Sequence, residues 1–290
     1  MKNKEPSRRT VRDGKFPPLV PMISICILTL LIIIAILAPI IAPWPSTEAS
    51  LAKRLLPPFW MAGAQSEYLL GTDLFGRDIF SRLIWGARIS LTVSAIAVFI
   101  SGTIGSVVGM IAGYMGRWAD AFLMRITDGA LSIPMVLLAL LLASIVGPSY
   151  GNVIIIIGLL LWPRYARQVR GETLAIMQQD FVALARVGGA SARRILMRHV
   201  FPNLLPSLLV LATLQVGYVI ILESTLSFLG AGIPPPEAAW GVMVADGRDL
   251  IYSAWWVSTI PGFAIAITVL TANVSGDWLR DRFDPKLSEV

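Results

Sequence analysis

Glu223 is the one charged residue in the run Val200–Pro236. A carboxylate inside an apolar segment is costly and commonly functional. Counted from Val200 along a helix at about 1.5 Å per residue, it falls near the far end of the membrane span that begins there. Ser224 or Thr225 could cap it as an interfacial group, or it could line a mouth or pathway. A second concentration of charge is Asp73, Arg77 and Asp78 within Leu70-Gly71-Thr72-Asp73-Leu74-Phe75-Gly76-Arg77-Asp78. Its two glycines allow tight turns that the acidic side chains can cap, and the same residues could form part of a mouth. His199 is the sole histidine. It cannot build a metal site of several imidazoles and reads as a helix-end or interface residue rather than a proton relay. Cys26, the single cysteine, lies in an apolar run and has no partner for an internal disulfide. No G-x-x-x-x-G-K-[ST] phosphate loop, H-E-x-x-H helix or G-x-S-x-G elbow occurs. The residues offer no catalytic constellation and no bound cofactor or metal.

The elements that must position these residues follow from composition. Of 290 residues, 56% are hydrophobic and 14% charged, with a mean hydropathy of +0.72. A soluble domain carries about 25% charged residues, so part of this chain's solvent is lipid. Phe16–Thr47, Ile89–Gly116, Gly129–Pro163 and Leu250–Gly276 carry no charge, and Val200–Pro236 carries only Glu223. A membrane helix needs about 20 apolar residues. Gly129–Pro163 is interrupted by Gly147-Pro148-Ser149-Tyr150-Gly151-Asn152, a turn signal that makes it a helical hairpin. The expectation is six transmembrane helices in an all-α membrane protein. The apolar stretch Leu19–Ala42 exceeds a signal peptide's core and reads as an uncleaved anchor.

Eighteen of the Lys and Arg residues fall on the side of the two termini and six on the other. The positive-inside rule therefore places both termini in the cytoplasm. The net charge of +6 is a topology signal, and no nucleic acid is expected as a partner. The expected divisions are a basic tail 1–18, a first helix 19–42 and an external loop 43–88. Five helices follow at about 89–113, 129–147, 151–166, 203–228 and 253–276, with a cytoplasmic loop 167–202 and a tail 278–290. The external loop could be a self-satisfied surface or a docking face for a substrate receptor.

The loop 167–202 is the most informative stretch. Leu174, Met177, Phe181 and Leu184 recur at 3-4-3 spacing, one face of a helix. Val187-Gly188-Gly189-Ala190 stops that helix, and Ser191 caps a second, short and basic helix that Pro202 ends. Such a corner could enter a groove on a soluble partner, or lie on anionic lipid. Small and polar residues within the spans, Gly102, Gly105, Gly109, Gln215, Gly217 and Asn273, permit close helix contacts.

Asp180-Phe181-Val182-Ala183-Leu184-Ala185-Arg186-Val187-Gly188-Gly189-Ala190-Ser191, followed by His199-Val200-Phe201-Pro202-Asn203, resembles the EAA loop of ABC importer permeases. Gly189, His199, Pro202 and Asn203 match its pattern, while Ala183 stands where the family has glutamate. Leu70–Asp73 with Gly76–Asp78, Ser81–Arg88, Leu123–Asp128, Glu223–Gly230, Trp240-Gly241 and Gly276–Asp281 with Asp284-Pro285 look like the dipeptide/oligopeptide/nickel subfamily, C-type subunit.

The resemblance implies a type I ABC importer permease fold in a bacterial inner membrane. It implies as partners a second homologous permease subunit, two cytoplasmic ABC ATPase subunits that use ATP and Mg, an external substrate-binding protein and the lipid bilayer. Its function would be peptide import by alternating access, with nickel complexes or opine-like compounds as alternative cargo. Ala183, Leu184, Ala185, Arg186, Gly188, Gly189, Ala190 and Ser191 would form the ATPase-coupling loop. Glu223, as a mouth residue, could meet a peptide amino terminus. A secondary transporter would show repeats and several mid-membrane charges, and an intramembrane enzyme would need a constellation that is missing.

Overall fold

Backbone amides in lipid have no partner except one another, so long apolar runs become helices. The computed structural model of the protein describes residues 18–283, which are helical apart from turns, loops and one isolated bridge between Thr72 and Asp78. The basic tail, Asp284-Pro285 and Lys286 lie outside the described residues. The helices are α1 (Leu19–Ile41), α2 (Ile79–Met115), α3 (Arg117–Ser132), α4 (Met135–Val146), α5 (Tyr150–Met177) and α6 (Asp180–Val187), then α7 (Ala192–Ile195), α8 (Phe201–Phe228), α9 (Trp240–Gly247) and α10 (Trp256–Phe283). A five-residue π turn, Leu196–Val200, joins α7 to α8. Four segments are long and apolar enough to cross a membrane: α1, α2, Ala192–Phe228 and α10. The pair α3–α4, bent by 87°, would make a fifth.

Several expected boundaries move. The second helix begins at Ile79, not near 89, so Ser81–Arg88 is helical rather than loop. Asp78 caps it by accepting the Ser81 amide hydrogen at 2.7 Å. The span expected at 129–147 is instead two helices. Ile133 is extended (φ −91°, ψ 131°) because Pro134 disfavours helical backbone in the residue before it. The helix expected to stop near 166 runs through Pro163 to Met177. The fifth starts at Ala192 rather than 203, and the last covers Trp256–Phe283 rather than 253–276.

The tightest helix pair is α2 against α5. Gly105, Gly109 and Gly113 recur every fourth residue and face Tyr165, Ala166, Val169, Arg170 and Thr173. A Cβ on Gly109 would sit 2.6 Å from the Ala166 carbonyl oxygen, and one on Gly113 2.7 Å from the Thr173 Cβ. Small residues at four-residue spacing allow this approach. Around the pair, Val93, Ala97, Ile157, Leu161, Val219 and Leu226 form the middle of the core. Ile79, Ala87, Trp240, Met243, Trp256 and Val257 close one end. Met110, Val169, Val182, Ile195, Val200 and Leu204 close the other.

Candidate functional site

The end of the bundle closed by Val182 carries the corner. α5 stops at Met177, and extended Gln179 (φ −77°, ψ 146°) turns the chain into α6. Asp180 in the first turn suits the positive end of the helix dipole. Val182 is fully buried among Met110, Val169, Ile195, Val200 and Leu204. Its burial corrects the expected apolar face. Because the chain breaks at Gln178–Gln179, Leu174 and Met177 are half-buried, whereas Phe181 and Leu184 are exposed.

α6 ends in two nested hydrogen bonds. The Ala190 amide donates to the Ala185 carbonyl at 3.0 Å, and the Gly189 amide to Arg186 at 3.0 Å. This closure requires a left-handed residue, and Gly189 supplies it at φ +74°. Ser191 then caps the next helix by accepting the Arg194 amide hydrogen at 3.4 Å. Ala183, Leu184, Arg186, Gly188, Gly189 and Ser191 are exposed, and Ala185 and Ala190 half-buried. Leu184 is 71% exposed and Val187 88%, an apolar knob beside the basic edge of Arg193, Arg194 and Arg198. Exposed apolar side chains grouped with polar neighbours mark a contact surface.

The second helix does not end at Pro202. Proline removes an amide donor and crowds the preceding turn, and the π turn widens the helix just before it, with the Phe201 amide reaching back to Leu196. Asn203 Nδ2 donates to the His199 carbonyl at 2.6 Å. The His199 ring lies 6.2 Å from that of Phe181, bringing the π turn against α6. His199, Pro202 and Asn203 therefore shape the corner's supporting helix.

At the opposite end, residues 43–78 fold into a cap. Asp73 is its hub. Oδ1 accepts the amide hydrogens of Phe75 at 2.8 Å and Arg77 at 3.0 Å, and Oδ2 accepts from Arg77 Nε at 2.6 Å. Arg82 Nη1 stands 3.4 Å from the same oxygen. Arg77 Nη2 donates to Asp246 at 2.9 Å, and Arg82 Nη2 lies 3.4 Å from it. Asp73, Arg77, Asp78 and Arg82 are all buried. Burial pushes the Asp246 carboxyl up, against the opposing pull of Arg82 and Arg77. Trp256 Nε1 donates to the Thr72 carbonyl at 3.3 Å, so α10 joins the same staple. The space between Asp73, Arg82 and Asp246 leaves no room for a water molecule. Asp73 and Arg77 thus hold the cap to α2 and α9, and Asp78 caps α2 while lining a small hollow with Trp44, Ser50, Tyr68 and Gly76.

Glu223 is 1% exposed. Its expected partners are not the ones found: Ser227 Oγ donates to Oε1 at 2.8 Å, while Thr225 Oγ1 turns back to the Ile221 carbonyl. It is sealed inside and does not meet the Asp73 cluster. Arg82 and Asp246, which complete that cluster, escaped sequence reasoning because 164 positions separate them. No group of three His, Cys, Asp or Glu residues is close enough to hold a metal among the described residues.

Comparison with known proteins gives this geometry a setting. The family described as the binding-protein-dependent transport system inner membrane component matches residues 105–289, and the N-terminal TM domain of oligopeptide transport permease C matches 20–58. The chain is 40% identical over 261 residues to the di/tripeptide transport system permease protein DppC of Pseudomonas aeruginosa (strain UCBPP-PA14), covering 90% of this chain and 86% of that one. It is 42% identical over 268 residues to the dipeptide transport system permease protein DppC of Escherichia coli (strain K12), covering 92% and 89%. A solved structure of the MetNI methionine ABC transporter, in inward-facing conformations, superposes with a TM-score of 0.54 at 22% identity. The match covers 70% of this chain and 97% of that one. At that identity the likeness concerns the fold.

Proposed function

The chain belongs to the family of binding-protein-dependent transport system inner membrane components, and we propose that it is the permease subunit of an ATP-driven peptide importer, coupled to its ATPase through the corner at Gly189. It carries no catalysis of its own. The observation that carries the coupling assignment is the α6 corner: Leu184 and Val187 protrude, while Val182 roots the short helix in the bundle core. An ATPase that grips the knob moves the rooted core with it.

The reading assigns six passages: α1, α2, the broken pair α3–α4, α5, the continuous α7–α8, and α10. Residues 43–78 then lie outside, and both termini and the α6 corner lie in the cytoplasm, in accord with the distribution of Lys and Arg. A second permease completes the path, two ABC ATPases use ATP and Mg, and an external binding protein delivers the peptide. Hydrolysis drives a two-state bundle whose equilibrium the corner biases.

Impermeant thiol labelling tests the orientation. In a Cys26→Ala background, Ala49→Cys is expected to react in intact cells and Ala192→Cys only after permeabilisation. Both positions are exposed. Labelling of Ala192→Cys from outside would reverse the assignment.

A further inference from the structure

We propose that Arg170 and Asp120 form a transmission clamp that carries the movement of α6 into the broken span α3–α4; the proposal rests on the permease reading above. Two ion pairs join α3 to α5. Arg170 meets Asp120 with Nε on one carboxylate oxygen and Nη2 on the other, the latter at 2.6 Å. Arg167 Nη2 meets Asp128 at 2.7 Å. The second pair has side chains 58% and 61% exposed and is weak in water. The first, at 34% and 18%, is more sheltered, and its two-point geometry fixes orientation as well as distance.

The position of Arg170 makes the pair more than a surface contact. Its backbone lies in the glycine notch of α2, with its amide nitrogen 2.9 Å from where a Gly109 Cβ would be and its carbonyl oxygen 3.1 Å from where a Gly113 Cβ would be. One residue therefore touches α2 through its main chain and α3 through its guanidinium. Seven residues later α5 ends at Met177, and only Gln178 and Gln179 separate it from α6. The Gln178 and Gln179 amides bond back to Ala175 and Ile176, so that link is a tight turn.

On the far side, α3 exposes Trp118, Phe122 and Ile126 and is buried only through Ala119 and Thr127. It packs against α2 and α5, and both of its ion pairs lie on the α5 side. Beyond it, the break at Ile133 leads into α4, whose Ala139 and Ala143 pack in the central core with Val153 and Ile157 of α5. A displacement of α6 passes along α5, through the clamp to α3, and across the break to α4. Arg170 and Asp120 act as positioning residues, since neither need touch cargo.

The test uses the complete complex, this chain with its second permease, ATPases and binding protein, in proteoliposomes. Arg170→Asp, Asp120→Arg and the double exchange are compared by dipeptide imported per ATP hydrolysed. Each single reversal is expected to lower that ratio about tenfold, within the usual range of coupling between sites. The double exchange should bring it back to within about twofold, the tolerance set by additivity. A merely structural role would reduce the amount of complex and leave the ratio unchanged. A double exchange as impaired as the singles, or singles with the wild-type ratio, would overturn the clamp. Where a reversal blocks assembly, Asp120→Asn keeps the shape and loses the charge; a lowered ratio supports the clamp, and an unchanged ratio overturns it. If the wild-type complex itself shows no peptide-stimulated hydrolysis, it is the permease reading that fails.

Discussion

Gly189→Arg is expected to abolish peptide-stimulated ATP hydrolysis by the assembled importer while leaving peptide capture by the separate binding protein intact. Gly189 sits at φ +74°, where an L side chain costs about 1–2 kcal/mol. A Cβ built there meets nothing within 4 Å inside this chain. In the isolated subunit the substitution therefore costs that backbone strain and no clash, and an effect beyond it must come from a partner surface. Gly189→Ala separates the two contributions, because it incurs the same backbone strain without the long cationic side chain. The alanine variant should retain most of the stimulation, and the arginine variant should lose at least tenfold. Ala183→Glu should be tolerated, since position 183 is exposed. A corner that merely lay on lipid would accept an added arginine, which anionic headgroups attract. Normal stimulation and normal co-purification of the ATPases in Gly189→Arg would refute the coupling role of the corner.

Arg82→Met is expected to prevent the subunit from accumulating, or to lower its melting temperature severely. Arg82 is 1% exposed and stands between the carboxylates of Asp73 and Asp246. Its removal leaves buried negative charge short of a partner, a change that costs about 3–5 kcal/mol in comparable pairs. The loss also loosens three elements at once, because Asp73 belongs to the cap, Arg82 to α2 and Asp246 to α9. Glu67→Ala supplies the contrast: its partner Lys53 is a surface group, and the pair lies open to water. That variant should accumulate and melt like the wild type. Arg82→Met melting with the wild type would show that the tetrad contributes nothing to the cap.

The parts of this architecture written in local chemistry were readable from the sequence. The charge-free runs mark where helices must lie, and the Gly188-Gly189 stop with the Ser191 cap is a matter of a few adjacent residues. What misled was chemistry with a distant partner or no local signal. Arg82 looks like a surface charge until Asp246 is placed beside it, and the charge-free run begins only after Arg88, ten residues beyond the true start of the second helix at Ile79. The break at Gln178–Gln179 has neither glycine nor proline, so the 3-4-3 spacing runs through it and joins on one helix face residues that the structure divides between α5 and α6. Pro134 carries a break signal, but it sits inside an uncharged run long enough to read as a continuous span. Pro202 carried the opposite error, since a π turn and the Asn203 back-bond let the helix continue through it. Among the candidate mouth residues, Asp73 and Arg77 satisfy one another in the cap, a pairing that ionisable groups near a span end do not announce in sequence, whereas Glu223 has Ser227 as its hydrogen-bond partner and no charged one.

Uptake of a radiolabelled dipeptide into proteoliposomes tests the central claim most directly. Vesicles holding this chain, its second permease and both ATPases, with binding protein and ATP on the appropriate faces, should accumulate dipeptide. Accumulation should disappear when ATP is replaced by a non-hydrolysable analogue or when this chain is omitted. Accumulation by this chain alone under an ion gradient, without ATPases or binding protein, would contradict the account and place the chain among secondary transporters.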